Sequence, residues 1–569
     1  MPQDERFDAV VVGSGFGGSV AAYRLAAAGR SVCLLERGKA YPPGSFPRTP
    51  RDMARNVWDP SEGRHGLFNV WSFRGLEAVV ASGLGGGSLI YANVLLRKDE
   101  RWFVHEQPFD GGYEHWPIGR ADLEPHYDEV ERMLGAQALP FDAPGYSATP
   151  KTVAMRLAAE RLGLEWQLPK LAVTFANAGT PPAHGEPIPA GEYPNLHGGT
   201  RVTCRMCGEC DIGCNYGAKN TLDHTYLSAA GHKGAEIRSR CEVRRFAPLP
   251  GGGYRVWYVR HDPDREGKPT KTSELPELVV DADRLVLAAG TLGSTYLLLR
   301  NLDAFPALSP RALGTRFSGN GDLLTFVVGR SDGSSRLVDG SRGPVITSAI
   351  RVPDELDGGG GSGRGYYVED AGYPGFVDWM IEGAESPRGV RRLLRFVTRR
   401  LWARLSRDPR SDLSAELGAL LGSGALSSSS LPLLGMGRDV PDGVMRLAKG
   451  YLDVDWTTAT SAAYFDRVRS TMRDIATELG ASFRDNPLWW RRRVITVHPL
   501  GGCPMGRHQA EGVVNADGEV FGYPGLFVCD GSVMPGPVGA NPSLTIAAFA
   551  DRMATRIAER DAAGRKVLT

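Results

Sequence analysis

The distribution of apolar and polar positions predicts two kinds of sheet. Residues 7–12 (FDAVVV) form a short unbroken apolar run rich in β-branched side chains, which marks a strand buried on both faces of a parallel sheet. The small residues at 19–28 predict a helix, and residues 30–35 (RSVCLL) predict a second strand. The same succession returns at 284–290 (RLVLAAG), where the glycine turn leads into a helix, and at 525–531 (GLFVCDG), with a helix over 542–556 behind it. Between these runs the pattern changes. Residues 254–259 and 343–352 alternate apolar with polar, as half-buried antiparallel strands do, and 366–370 (YYVED) reads as a further strand. Residues 389–405 predict a basic amphipathic helix: Val390, Leu393, Leu394, Val397, Leu401 and Leu405 share one face, and six arginines surround it. The apolar, serine-rich stretch 417–434 reads as a lid or loading loop, and 358–365 as a glycine-rich loop.

Length and composition narrow the class. The 569 residues exceed one ordinary core, since domains run to roughly 150 residues. The 72 glycines have no three-residue period, so collagen is excluded, and 42% hydrophobic residues exclude a disordered chain. With 66 basic against 65 acidic residues the net charge is +1, which offers nucleic acid no general field. No stretch approaches the roughly 18 apolar residues of a membrane helix. The acidic start runs straight into a strand, so the expectation is a cytoplasmic protein without a signal peptide, touching membranes only peripherally through the 389–405 helix.

The glycines have addresses. GSGFGG at 13–18, between the first strand and its helix, completes a dinucleotide-binding unit. Gly13 permits the tight turn, Gly15 lets backbone approach a pyrophosphate, and Gly18 lets helix and strand pack closely; Phe16 and Gly17 complete the loop. The helix N-terminus offers N–H donors to phosphate, and Glu36 at the end of the second strand can accept from ribose hydroxyls. A last strand contributed from the far C-terminus, closing on Asp530 and Gly531, encloses one long ligand, which points to FAD rather than NAD. Asp530 is then a candidate partner of the ribityl or pyrophosphate region.

Taken together, these segments resemble the glucose–methanol–choline (GMC) oxidoreductases, and within them the bacterial cholesterol-oxidase-like branch. The resemblance runs nearly end to end. It rests on residues 13–18 with Glu36, the flavin-flanking run GLGGGSLIYAN at 83–93, the strand ending at Gly290, HPLGGC at 498–503, and Asp530-Gly531 with Asn541-Pro542. It implies an α/β plus α+β architecture, in which a Rossmann-like FAD-binding domain carries an inserted antiparallel-sheet substrate domain. The FAD-binding domain is placed at 1–45, 75–100, 200–300 and 495–569, and the substrate domain at 101–199 and 301–494. Further flavin contacts are carried onto Gly85, Gly86, Gly87, Ser88, Asn93, Gly290 and Pro542. No counterpart of the family's histidine attachment site is evident, so FAD is expected to be held noncovalently.

The implied activity is oxidation of a CH–OH group by hydride transfer to flavin N5. A carbinol must lose its hydroxyl proton as the hydride leaves, which calls for an acceptor near neutral pKa. His498 matches the family's active-site histidine as base or hydrogen-bond acceptor, and Asn541 its second polar partner. The steroid enzymes of the family also use a glutamate to move a proton during double-bond isomerisation. Glu369 is the nearest candidate here, but its local sequence matches poorly and favours a structural role.

Cys204, Cys207, Cys210 and Cys214 fall within eleven residues (204–214) in C-x2-C-x2-C-x3-C spacing, that of bacterial iron–sulfur ferredoxins. Asn215 replaces the proline that follows the fourth ferredoxin cysteine. An iron–sulfur cluster, a zinc site and a cysteine-rich turn beside the flavin all remain open. The steroid-like anchors, the basic helix and the lid favour a sterol or long-chain alcohol, with O2 or an electron-acceptor protein or quinone taking the electrons. A sugar or polyol dehydrogenase passing electrons through the cluster is an alternative. So is a hydroxynitrile-lyase-type enzyme in which flavin is structural, or a non-catalytic flavin electron carrier.

Overall fold

The structure is a computed structural model that describes residues 5–106, 112–308, 311–329, 340–358, 362–372 and 430–568. The first sheet grows from β1 (Glu5–Val12), whose last four residues are all buried. Helix α1 (Phe16–Ala27) returns the chain to β2 (Val32–Leu35), which lies parallel to β1, with Val12 opposite Leu35. The strand β3 (Glu236–Arg238) adds in parallel beyond β2. A meander of β4 (Cys241–Pro248), β5 (Tyr254–Arg260) and β6 (Glu277–Leu287) follows.

The eleven-residue β6 joins two halves of the sheet. Its first half pairs antiparallel with β5, and its second half pairs parallel with β1 on one side and with Leu526–Val528 on the other. Val12, Leu35, Leu287 and Val528 therefore end in register at one edge. The loops that follow them, carrying Gly13, Glu36, Gly290 and Asp530, are gathered at the carboxyl ends of the parallel strands, where open α/β sheets bind ligands.

The second sheet is antiparallel throughout. Its order is Glu165–Gln167, β8 (Ala349–Val352), β9 (Tyr366–Asp370), β10 (Ser430–Gly437), β7 (Leu323–Val328) and β11 (Ser482–Asp485). The helix Ala462–Glu478 covers one face, burying Val468, Met472 and Ile475 against Leu323, Leu431, Leu433 and Val368. Because strand side chains alternate, Tyr366 and Val368 face that core while Tyr367 and Glu369 face the other way, toward the first sheet.

Two expectations from the pattern are corrected here. Of the alternating run 343–352 only Ala349–Val352 is a strand in the second sheet. Gly343 has a left-handed φ of 104° and its backbone bridges to Cys207 instead. The end of the expected lid is a central strand: 430–434 lies in β10, paired on both sides, with Leu431 and Leu433 fully buried. The expected basic helix at 389–405, the rest of the lid at 417–429 and residues 359–361 of the glycine-rich loop lie outside the described residues. Among the described residues no helix is long and apolar enough to cross a membrane.

Candidate active site

The glycine loops touch one another. A Cβ at Gly86 would come within 2.6 Å of the Gly15 Cα, so residues 13–18 and 85–87 form one continuous surface of bare backbone. Its members divide into two groups. At Gly17 a Cβ would sit 1.6 Å from the Cys529 carbonyl oxygen, and at Gly18 2.0 Å from that of Gly13; these two serve packing between α1 and the strands. At Gly15 and Gly87 an added Cβ would meet nothing within 4 Å. Those two positions face open space, as a cradle for a pyrophosphate and ring system requires.

Glu36 is 5% exposed and receives the Ser14 N–H at 3.0 Å, the Ser14 hydroxyl at 2.7 Å and the Gly38 N–H at 2.8 Å. These bonds fix its carboxylate at the edge of the glycine loop. Phe16 packs edge-on to Tyr91 at 5.2 Å. Asn93 is buried with φ 72°, and its Oδ1 has no hydrogen-bond partner among the described residues. The Asn541 Oδ1 and Glu369 Oε1 are likewise buried without partners. Unpartnered buried polar atoms are costly, so they mark where a ligand's polar groups belong. The open glycines and these atoms fit a bound flavin.

Two expected cofactor contacts are turned into the protein. The Ser88 hydroxyl donates to the Gly85 carbonyl at 2.7 Å and accepts the Leu222 N–H at 3.0 Å, so it pins the flavin-flanking turn. The Asp530 carboxylate receives the Gly290 N–H at 3.0 Å, the Ser294 hydroxyl, the Ser532 N–H at 2.9 Å and the Ser532 hydroxyl at 2.6 Å. It latches the helix Gly290–Arg300 to the C-terminal strand, and burial raises its pKa.

His498 and Asn541 are held by one short segment that the sequence pattern did not single out. The His498 Nδ1 lies 2.8 Å from Asp322 Oδ1. The other Asp322 oxygen accepts the Val497 N–H at 2.8 Å and the Thr496 hydroxyl at 3.0 Å, and the Asp322 side chain is fully buried. The carboxylate thus assigns the Nδ1–H tautomer, leaving the Nε2 lone pair free as an acceptor. Two residues earlier, Asn320 (φ 55°) donates from Nδ2 to the Ala540 carbonyl at 3.0 Å and accepts the Gly539 N–H at 2.8 Å. This fixes the loop that delivers Asn541. Lys98, also buried, donates to the Pro537 and Val538 carbonyls at 2.7 and 3.0 Å, and Trp102 lies close beneath Gly539. The signal available in the sequence was the small polar run GNGD at 319–322 immediately before a strand.

Glu369, which local sequence favoured as structural, reaches the same place. Asn541 Nδ2 donates to Glu369 Oε2 at 3.2 Å. Complete burial pushes the Glu369 pKa up to about 8, so its carboxyl is neutral at pH 7. Asp439 supports the bracket from below, accepting the Ser318 hydroxyl and the Gly319 N–H, and burial pushes it up to about 7.

The four clustered cysteines form no disulfide and line a single small cavity with Lys219, Gly343 and Pro344. The Lys219 ammonium donates to the carbonyls of Leu89 at 3.1 Å, Tyr91 at 2.7 Å and Cys210 at 2.7 Å, joining the cysteine segment to the flavin-flanking turn.

Comparison with known proteins agrees with this geometry. Residues 194–301 and 444–550 match the N- and C-terminal GMC oxidoreductase models, and residues 11–44 match an NAD(P)-binding Rossmann-like domain. A cholesterol oxidase of Mycobacterium tuberculosis is 29% identical over 96% of this chain and 90% of its own. A long-chain-alcohol oxidase of Arabidopsis thaliana is 23% identical over 97% of this chain and 67% of its own. Among solved structures, pyridoxine 4-oxidase from Mesorbium loti superimposes with a TM-score of 0.54 at 18% identity, over 96% of this chain and 98% of that one, which shows the shared fold. The chain belongs to the GMC oxidoreductases and is an FAD-dependent alcohol oxidoreductase.

Proposed function

We propose that this enzyme oxidises a bulky apolar alcohol, a sterol or a long-chain alcohol, with noncovalently held FAD and O2 as acceptor. When bound, the flavin supplies the acceptor for the hydride. The glycine loops and Glu36 hold it, within the discontinuous FAD-binding domain assigned above. Asp530 and Gly531 shape its ribityl side, and Asn93 and Pro542 border its ring.

His498 accepts the carbinol proton at Nε2. Asp322, across the ring, stabilises the imidazolium that results. Asn541 has a second amide hydrogen beyond the one shared with Glu369, and this donates to the substrate oxygen and directs the C–H.

The observation that carries the substrate class is the Asn541–Glu369 pair. A carboxyl whose pKa is pushed up to about 8 is mostly protonated at pH 7, which lowers the charge in the site and suits an apolar substrate. The same protonated carboxyl is the group proposed to carry the proton if a sterol's double bond is isomerised. The named activities of the relatives, on cholesterol and on long-chain alcohols, point the same way.

The test is anaerobic mixing of the holoenzyme with cholesterol, a long-chain primary alcohol and glucose. Bleaching of the flavin by either apolar alcohol is expected. Bleaching by glucose alone would move the enzyme to the sugar-dehydrogenase reading, and no bleaching by any alcohol would favour the lyase. Free FAD in the supernatant after denaturation is expected; flavin remaining with the polypeptide would refute noncovalent binding.

A further inference from the structure

The alcohol-oxidation chemistry leaves the segment 204–214 unused, although it is built with unusual care. The backbone turns left-handed at Met206 (φ 57°), Gly208 (69°) and Gly213 (90°). A positive φ at a residue other than glycine is uncommon, and it is held here because the Met206 carbonyl accepts the Gly343 N–H at 3.0 Å while the Gly343 carbonyl accepts the Gly208 N–H at 2.9 Å. These turns bring all four thiols to the wall of one cavity without joining any two of them. We propose that Cys204, Cys207, Cys210 and Cys214 hold an iron–sulfur cluster of the four-thiolate type, seated against the flavin-flanking turn.

Three further observations separate this from zinc and from a plain cysteine-rich turn. In a tetrahedral zinc site with Zn–S bonds of about 2.3 Å, the sulfurs stand about 3.8 Å apart. Among the described residues no three of these sulfurs lie within 4.8 Å of one another. The wider spacing suits a polynuclear core placed between them.

Second, backbone donors face the sulfurs. The Met206 N–H lies 3.4 Å from Cys204 Sγ, and the N–H groups of Glu209 and Val345 face the thiols of Cys207 and Cys210. Hydrogen bonds to ligand sulfur are one of the ways a protein tunes such a cluster.

Third, Lys219 is 1% exposed, and its hydrogen-bond partners among the described residues are three carbonyls. A buried ammonium calls for a nearby anion. Asp211 and Asp223 already act on this ammonium, and thiolates at Cys210 and Cys214 add negative charge that neutral thiols do not. Since Lys219 also bonds the carbonyls of Leu89 and Tyr91, the same cation ties the cluster site to the residues that border the flavin.

The experiment is metal and sulfide analysis of the FAD holoenzyme purified without oxygen. About four iron and four acid-labile sulfide per chain are expected for a four-thiolate cluster, with an electron paramagnetic resonance signal after dithionite reduction. Cys207→Ala and Cys210→Ser should lower bound iron at least tenfold while FAD is retained. If those variants fail to fold, alkylation of the wild type decides. The four clustered cysteines should resist the reagent in the holoenzyme and react after iron is chelated.

The cluster is overturned by an iron-free holoenzyme, by one zinc in place of iron, or by four thiols that react equally before and after chelation. The inference rests on the flavin reading only for its neighbour. An iron-free enzyme that still bleaches with alcohol would remove the cluster alone, and iron without alcohol-dependent bleaching would remove the proposed function alone.

Discussion

Replacing Asp322 by Asn keeps the shape of the site and should disable the base. The carboxylate serves three donors: His498 Nδ1–H on one oxygen, and the Val497 N–H and Thr496 hydroxyl on the other. An amide has one oxygen. If that oxygen keeps the Val497 and Thr496 bonds, the NH2 faces His498 Nδ1 and donates to it. The imidazole must then carry its proton on Nε2, where it cannot accept one from substrate. Flipping the amide restores the tautomer but sets NH2 against the Val497 N–H, a buried mismatch costing about 1–3 kcal/mol. In either orientation the imidazolium loses its counter-charge, worth about 4 kcal/mol for unit charges 4 Å apart at an effective dielectric constant near 20. Together these come to about 5 kcal/mol, or a rate lower by about a thousand- to ten-thousandfold. The Asp→Asn change behind the catalytic histidine of serine proteases, where the tautomer argument is the same, costs about 10⁴.

The assay is the rate of flavin reduction in anaerobic stopped flow, with FAD content and melting temperature measured alongside. Because neither bond to Val497 nor to Thr496 need be lost, FAD occupancy should stay at the wild-type level. A reduction rate within threefold of wild type, less than about 0.7 kcal/mol, would refute the reasoning.

Gly15→Ala should leave the melting temperature of the apoprotein unchanged and weaken FAD retention, because its Cβ meets only open space, whereas Gly17→Ala should destabilise the fold by several kcal/mol through the Cys529 carbonyl; thermal melts with and without FAD separate the two. The raised pKa of Glu369 means the folded chain holds a proton that the unfolded chain releases between about pH 4.5 and 8, so this group costs stability as pH rises through that window. Glu369→Gln should remove that slope, at most about 1.4 kcal/mol per pH unit, and its melting temperature should gain on wild type from pH 5 to 8; parallel curves would contradict the burial argument. In turnover of cholesterol the same variant should keep oxidation and lose formation of the conjugated ketone, read by its ultraviolet absorbance. Lys98→Met leaves the Pro537 and Val538 carbonyls without their donor and should slow flavin reduction about tenfold with FAD occupancy intact, whereas loss of FAD would place Lys98 in cofactor binding instead.

Local sequence determined the parts of this protein that a local physical rule governs. A continuous apolar run, a glycine turn and a small-residue helix form a βαβ unit wherever they occur, so residues 13–18 and Glu36 were legible at once. The conformational freedom of glycine likewise marked 85–87 as a second bare surface. The cysteine spacing is a property of eleven consecutive residues, and it too could be read directly.

What the sequence did not carry is convergence between distant segments. Asp322 is 176 residues from His498, and Glu369 is 172 from Asn541. Nothing in the neighbourhood of either acid shows that a sheet will turn it toward the other chain segment. The apolar run at 430–434 was equally ambiguous, because an uncharged stretch suits a lid or a central strand until its hydrogen-bond partners are known. The sequence by itself therefore determined the family, the two bare glycine loops and the histidine proposed as base. The tertiary structure decided which nitrogen of that histidine faces Asp322, which carboxyl is buried beside Asn541, and which of the glycines face open space rather than the core. Protonation state and tautomer depend on burial and on hydrogen-bond partners a few ångströms away, and only the folded chain brings those groups within range.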